Sequence, residues 1–222
     1  MSNRLILFIL VYMTLLISYL FSETSGNFRR RAVNKIVLAS LFALYSFRNF
    51  AAHGLALGLD ELEMAAILFS FAGDCCLLWS FTVGGAIFSI GNFLFIVYEL
   101  LLANSAGVLG RLWWAAIPFA LLWGGYFVLE KKGVLQGKHG ATFAKYLATT
   151  TAQGCIGFAL ACAMGGTKQW LFGAGIALFM ISDYFLGFHH YHHYARTTKW
   201  VLRCNSFTYF TGMLLIALST GL

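Results

Sequence analysis

Long apolar runs, broken at short intervals by basic and small polar residues, set the rhythm of this chain. A helix needs about 20 mainly apolar residues to cross a bilayer. Eight such runs are predicted, over residues 5–21, 35–52, 62–79, 83–102, 112–129, 143–164, 170–188 and 201–218. The expected fold class is all-α, a polytopic membrane protein built as a bundle of eight transmembrane helices in one domain, 1–222. The connections are short, so successive helices are expected to be antiparallel neighbours. The first run has no A-x-A-like cleavage site after it and is read as a retained span. The second is the least clean, with Arg48, Asn49 and His53 toward its end. Gly154, Gly157, Gly173 and Gly175 would let helix backbones approach, as packing in membranes favours.

Composition agrees. The chain is 60% hydrophobic and 10% charged, against about 25% charged in a soluble domain. The net charge of +7 is not a nucleic-acid signal, because the basic residues fall mostly between apolar runs, where they set topology. Arg29, Arg30, Arg31, Lys35, Lys131, Lys132, Lys138, Arg196, Lys199 and Arg203 collect on one face, against Arg4, Arg48, Arg111 and Lys168 on the other. The first face is expected in the cytoplasm, which puts both termini on the opposite side. Whether the membrane is a bacterial inner membrane or an internal eukaryotic one stays open, as do oligomeric state and headgroup preference. The five cysteines show no metal or disulfide spacing.

The candidate chemistry lies in FSFAGDCCLLW, with Asp74, and FMISDYFLGF, with Asp183. A carboxylate in a membrane-length apolar helix costs about 2.5–3.5 kcal/mol on insertion scales and by default marks a functional site. Each aspartate lies five residues before an aromatic that ends its run, within about 8 Å of the helix end at 1.5 Å per residue. Both helices run toward the cytoplasm. Lys145 and Thr149 on the sixth helix, and Asn205 and Tyr209 on the eighth, reach similar depth. The expected picture is a polar cavity open to the cytoplasmic leaflet, with Asn92 and Ser182 as further contacts. The plainer alternative pairs one aspartate with Lys145 and leaves the other as a helix cap. Two carboxyls in a low-dielectric pocket divide into a protonated acid and an ionised partner. That division suits cleavage of acid-labile C–O bonds through an oxocarbenium ion.

These segments, with the fourth helix GAIFSIGNFLFIVYELL and the closing YFTGMLLIALS, resemble the YhhN-like family of lysoplasmalogenases over most of the chain. The resemblance implies hydrolysis of the vinyl ether bond of lysoplasmalogens, giving a fatty aldehyde and glycerophospho-ethanolamine or -choline. It implies Asp74 and Asp183 as catalytic residues, no cofactor, and a lysophospholipid substrate drawn from membrane lipids. The chain departs from the family pattern in three places. Ile36 follows Lys35 where the family has proline. Tyr98 and Glu99 occupy the region of the fourth helix where it has a histidine followed by a tyrosine. Thr211 and Gly212 occupy the region of its late glutamine.

The run His189-His190-Tyr191-His192-His193-Tyr194 follows the seventh helix. His189 and His193 share a helical face at a spacing able to bind metal, yet no third histidine is expected at that depth, so the site is read without metal. Interfacial side chains at headgroup level, or a phosphate site completed by Arg196, Lys199 and Arg203, are the other readings. A transporter or ligand-binding protein using the aspartates as a proton or cation site, and a zinc-dependent lipid hydrolase, remain as alternatives. The former lacks a visible pair of broken helices.

Overall fold

The computed structural model describes residues 3–52, 58–134, 140–191 and 199–222. Among them are eight α-helices: α1 (Asn3–Glu23), α2 (Phe28–Ala52), α3 (Leu59–Leu77), α4 (Phe81–Ser105), α5 (Ala116–Lys131), α6 (Gly140–Met164), α7 (Thr167–Tyr191) and α8 (Lys199–Ser219), with a 3-10 segment, Leu109–Ala115, leading into α5. A helix stands at each of the eight predicted positions. Six segments, α1, α4, α6, α7, α8 and the continuous 109–131 unit, are long and apolar enough to cross a membrane. Helices α2 and α3 carry more charge, with Arg29, Arg30, Arg31 and Lys35 on one and Asp60, Glu61, Glu63 and Asp74 on the other.

The largest difference from the predicted boundaries is at α2, which begins two turns earlier than the apolar run. The Asn27 side chain caps it, its Oδ1 accepting from the Arg30 backbone N–H at 3.1 Å. Such a cap satisfies a helix-end donor, and arginine is a good helix former, so the basic stretch joins the helix. Lys35 therefore lies inside α2, not at its mouth. At α4, Ser80 Oγ accepts from the Val83 N–H at 3.3 Å. Pro118 sits in the first turn of α5, where its missing N–H costs no intrahelical bond.

Seven helices close into a ring. Packing runs α1–α2–α3–α4–α6–α7–α8, and α8 returns to α2 and α1. Helix α5 stands outside, against α6, while the 3-10 segment packs on both α4 and α6. Glycines set the closest approaches. A Cβ at Gly173 would lie 2.8 Å from the Gly157 carbonyl oxygen of α6. Gly175 and Gly212 face one another across α7 and α8, where a Cβ on either would come within 2.7 Å of the other's carbonyl. Gly212 thus serves backbone contact between α7 and α8. Inside the ring, Tyr12, Phe42, Phe95, Phe179 and Phe210 are fully buried. The Tyr12 hydroxyl donates to the Phe210 carbonyl at 2.8 Å, tying α1 to α8.

Candidate functional site

Both aspartates line one cavity of about 850 Å³ at the basic end of the ring, within the range of about 300–1,000 Å³ usual for small-molecule sites. Each is held differently. Asp74 Oδ1 pairs with Lys35 Nζ at 3.1 Å, and its Oδ2 accepts from the Tyr209 hydroxyl at 2.6 Å. Asp183 Oδ2 accepts from the Tyr146 hydroxyl at 2.6 Å and from Thr150 Oγ1 at 2.9 Å. Asn92 Nδ2 in turn donates to Thr150 Oγ1 at 2.6 Å. One carboxyl has a cationic partner and the other has neutral donors.

Aromatic packing surrounds Tyr209, the hydroxyl donor to Asp74. The Phe179 and Phe88 rings lie edge-on to Tyr209, at 5.2 and 5.9 Å between centroids, and pack on each other at 5.9 Å. Gly73, beside Asp74, makes room for the Phe88 ring, which a Cβ there would meet at 2.7 Å. The aspartates are not level with their helix ends. Helix α3 stops three residues after Asp74 and α7 runs eight past Asp183, because α7 continues as a helix through His189 and His190.

The sequence-derived candidates divide into three groups. Asp74, Asp183, Lys145, Ser182, His189, Asn205 and Tyr209 all line the cavity. Ser182 is turned back onto its own helix, its Oγ donating to the Phe179 carbonyl at 2.7 Å. Asn92 is fully buried one layer behind, acting through Thr150. His193 and Arg196 lie outside the described residues, so the His189–His193 metal pair and the Arg196 part of the phosphate cluster are not described; Arg203 of that cluster donates to Thr24 Oγ1 at 2.8 Å. Among the described residues, no three His, Cys, Asp or Glu side chains are grouped to share a metal ion. The alternative pairing of an aspartate with Lys145 is corrected: Lys145 is exposed at the cavity edge, and the cation on Asp74 is Lys35.

Sequence reasoning missed Lys35, Tyr146 and Thr150 as site residues. Tyr146 and Thr150 are four apart, on one face of α6, a spacing that brings both to a common partner. Glu23 was missed as well. It lines the cavity, and its Oε1 accepts from the Tyr19 and Ser206 hydroxyls at 3.0 and 2.5 Å. Glu99 is fully buried with no hydrogen-bond partner for either oxygen among the described residues. It stands against Gly157, whose added Cβ would lie 2.7 Å from Glu99 Oε1.

No curated protein and no solved structure matches the chain. The sequence model of the YhhN family matches residues 30–220, a span that takes in Lys35, Asp74, Tyr146, Thr150, Asp183 and Tyr209. The paired aspartates, the helices that present them and this near-complete match lead to one conclusion: the chain belongs to the YhhN family.

Proposed function

We propose that this protein is a lysoplasmalogenase-like membrane hydrolase that cleaves the vinyl ether bond of a lysophospholipid to a fatty aldehyde and a glycerophospho-alcohol. The observation that carries the reading is the unequal pair of aspartates lining one cavity. Asp74, paired with the Lys35 Nζ at 3.1 Å, is assigned the carboxylate role. Asp183 accepts two neutral hydroxyl donors on Oδ2 and has no cation paired with it among the described residues; in this reading it is the acid and carries its proton on Oδ1. Membership of the family supports a hydrolase, and the apolar walls beside the carboxyls suit a lipid.

In this reading Asp183 gives its proton to the outer carbon of the C=C bond, and an oxocarbenium ion forms at the carbon bearing oxygen. Asp74 stabilises that cation. Water adds to it and passes a proton to Asp74. The hemiacetal then breaks its C–O bond: its hydroxyl proton returns to Asp183, and the departing oxygen takes the proton from Asp74. Atoms and protons balance, with one water consumed. The tyrosines fix both carboxyls in place.

All eight helices are taken to span the membrane, with the Arg29–Arg31 end in the cytoplasm and both termini on the other side. The test is aldehyde release from a vinyl ether lysophospholipid by purified protein in detergent with EDTA, comparing wild type, Asp74→Asn and Asp183→Asn. Release that vanishes in both variants is the expected result. No release by folded wild type overturns the reading for this substrate.

A further inference from the structure

We propose that the cavity opens sideways into the bilayer through a portal between the first halves of α4 and α6, and that the hydrocarbon tail of a single-chain lipid lies in it. This inference rests on the function proposed above and names the path of its substrate. Three residues one turn apart on α4, namely Thr82, Ala86 and Ile90, line the cavity and are also solvent-exposed, Ile90 by 46%. Side chains that face both a cavity and the exterior mark its rim. On α6 the facing rim is Lys145, exposed, and Thr149, half-buried.

Further along, the same two helices close. Asn92 and Thr150 bond at 2.6 Å, and Gly157 sits directly against Glu99. The 3-10 segment covers that closed end, where Leu112 and Ala115 cluster with Ala103, Cys155 and Ala159. Along the open half, α5 stays with α6: Trp123 Nε1 donates to the Ala144 carbonyl at 3.4 Å. The seam is therefore sealed at one end and uncovered at the other.

The glycines of α4 show the same contrast. A Cβ at Gly84 would strike Leu77 at 2.6 Å, and one at Gly91 would meet the Ala66 carbonyl at 3.2 Å. Gly85, on the cavity wall, has nothing within 4 Å of that position. The walls here are apolar and lead from the aspartates outward, which fits an alkyl chain. The basic end, with Arg31 on the cavity wall, is left for the phosphate-bearing part.

The experiment uses full-length protein in lipid nanodiscs with two readouts. A saturated ether lysophospholipid carrying a photoreactive group on its tail is cross-linked and the labelled peptides are mapped. Aldehyde release is measured in parallel on a long-chain and a tail-truncated vinyl ether substrate. Labelling is expected within residues 82–90 and 145–149. Gly85→Trp, placed in open space, is expected to remove that labelling and to lower long-chain turnover about tenfold relative to the truncated substrate. Ala86→Trp provides a second plug. Gly124→Trp, on the open surface of α5, should change neither readout.

Labelling concentrated elsewhere, or unchanged by the folded Gly85→Trp and Ala86→Trp proteins, overturns the portal. The two ideas fail separately. Portal labelling without aldehyde release by wild type sinks the hydrolase reading and leaves the portal standing. Release that Gly85→Trp and Ala86→Trp leave untouched sinks the portal alone.

Discussion

Replacing Lys35 by methionine removes the ammonium and keeps most of the aliphatic stem. The Lys35–Asp74 pair spans 3.1 Å, with side chains 13% and 2% exposed. At an effective dielectric of about 20, unit charges at that distance attract by about 5 kcal/mol. Desolvation offsets much of this, but removing one partner of a buried pair still costs about 3–5 kcal/mol because the other charge is stranded. An escape limits the loss: protonating an ordinary carboxylate at pH 7 costs about 4 kcal/mol. We therefore expect Lys35→Met to destabilise by about 3–4 kcal/mol. In an Asp74→Asn background the same substitution strands no charge and should cost less than about 1 kcal/mol, a coupling of about 2–3 kcal/mol. Reversible unfolding of the four proteins in mixed micelles, followed by tryptophan fluorescence, measures the cycle. Additivity within about 0.5 kcal/mol would show that Lys35 and Asp74 do not act as a pair, and the division of roles between the two aspartates would lose its basis.

Three further outcomes are expected. Tyr146→Phe, which removes one donor to Asp183 Oδ2, should lower kcat about tenfold with little change in KM. An equal rise in KM would instead assign Tyr146 to substrate binding. Glu99→Leu should raise the unfolding free energy by about 1–3 kcal/mol, since it replaces a buried carboxyl that lacks a partner among the described residues; a fall on thermal unfolding refutes that account. Gly175→Ala puts a methyl 2.7 Å from the Gly212 carbonyl. It should cost about 1–3 kcal/mol as α7 and α8 are pushed apart, and aldehyde release should fall as Tyr209 moves from Asp74. Unchanged stability and activity would show that the contact yields freely.

The helices were legible because membrane-length apolar runs leave the backbone little choice but to bond within itself. The aspartates stood out because an intramembrane carboxylate is costly. What escaped were the groups that make those carboxylates tolerable. Lys35 marked the edge of an apolar window, so it was read as a boundary and a topology signal; the Asn27 cap that carries α2 two turns further cannot be weighed by hydropathy. Tyr146 looks like any aromatic in a chain that is 17% aromatic, and only its position one turn before Thr150 singles it out. The ring closure that brings Tyr209 to Asp74 depends on α8 meeting α2 and α1, a contact between distant segments that no local pattern encodes. Thr149 and Thr150 illustrate the finer limit. A rotation of about 100° between neighbours on a helix leaves Thr149 at the rim and gives Thr150 the bond to Asp183.

The hydrogen-bond partners of the two aspartates also order the events of biosynthesis. Lys35 and Asp74 belong to consecutive helices, α2 and α3, and Tyr146, Thr150 and Asp183 to another consecutive pair, α6 and α7. Each carboxyl can thus enter the lipid phase as part of a helical hairpin that already supplies its partner. Tyr209 and the Tyr12–Phe210 bond join segments 135 and 198 residues apart, and they can form only after α8 is made. A chain paused after its seventh helix would hold both acids, each already neutralised or bonded, in a trough open along one side. The cavity would be completed in a single late step, when α8 docks and turns that trough into a chamber.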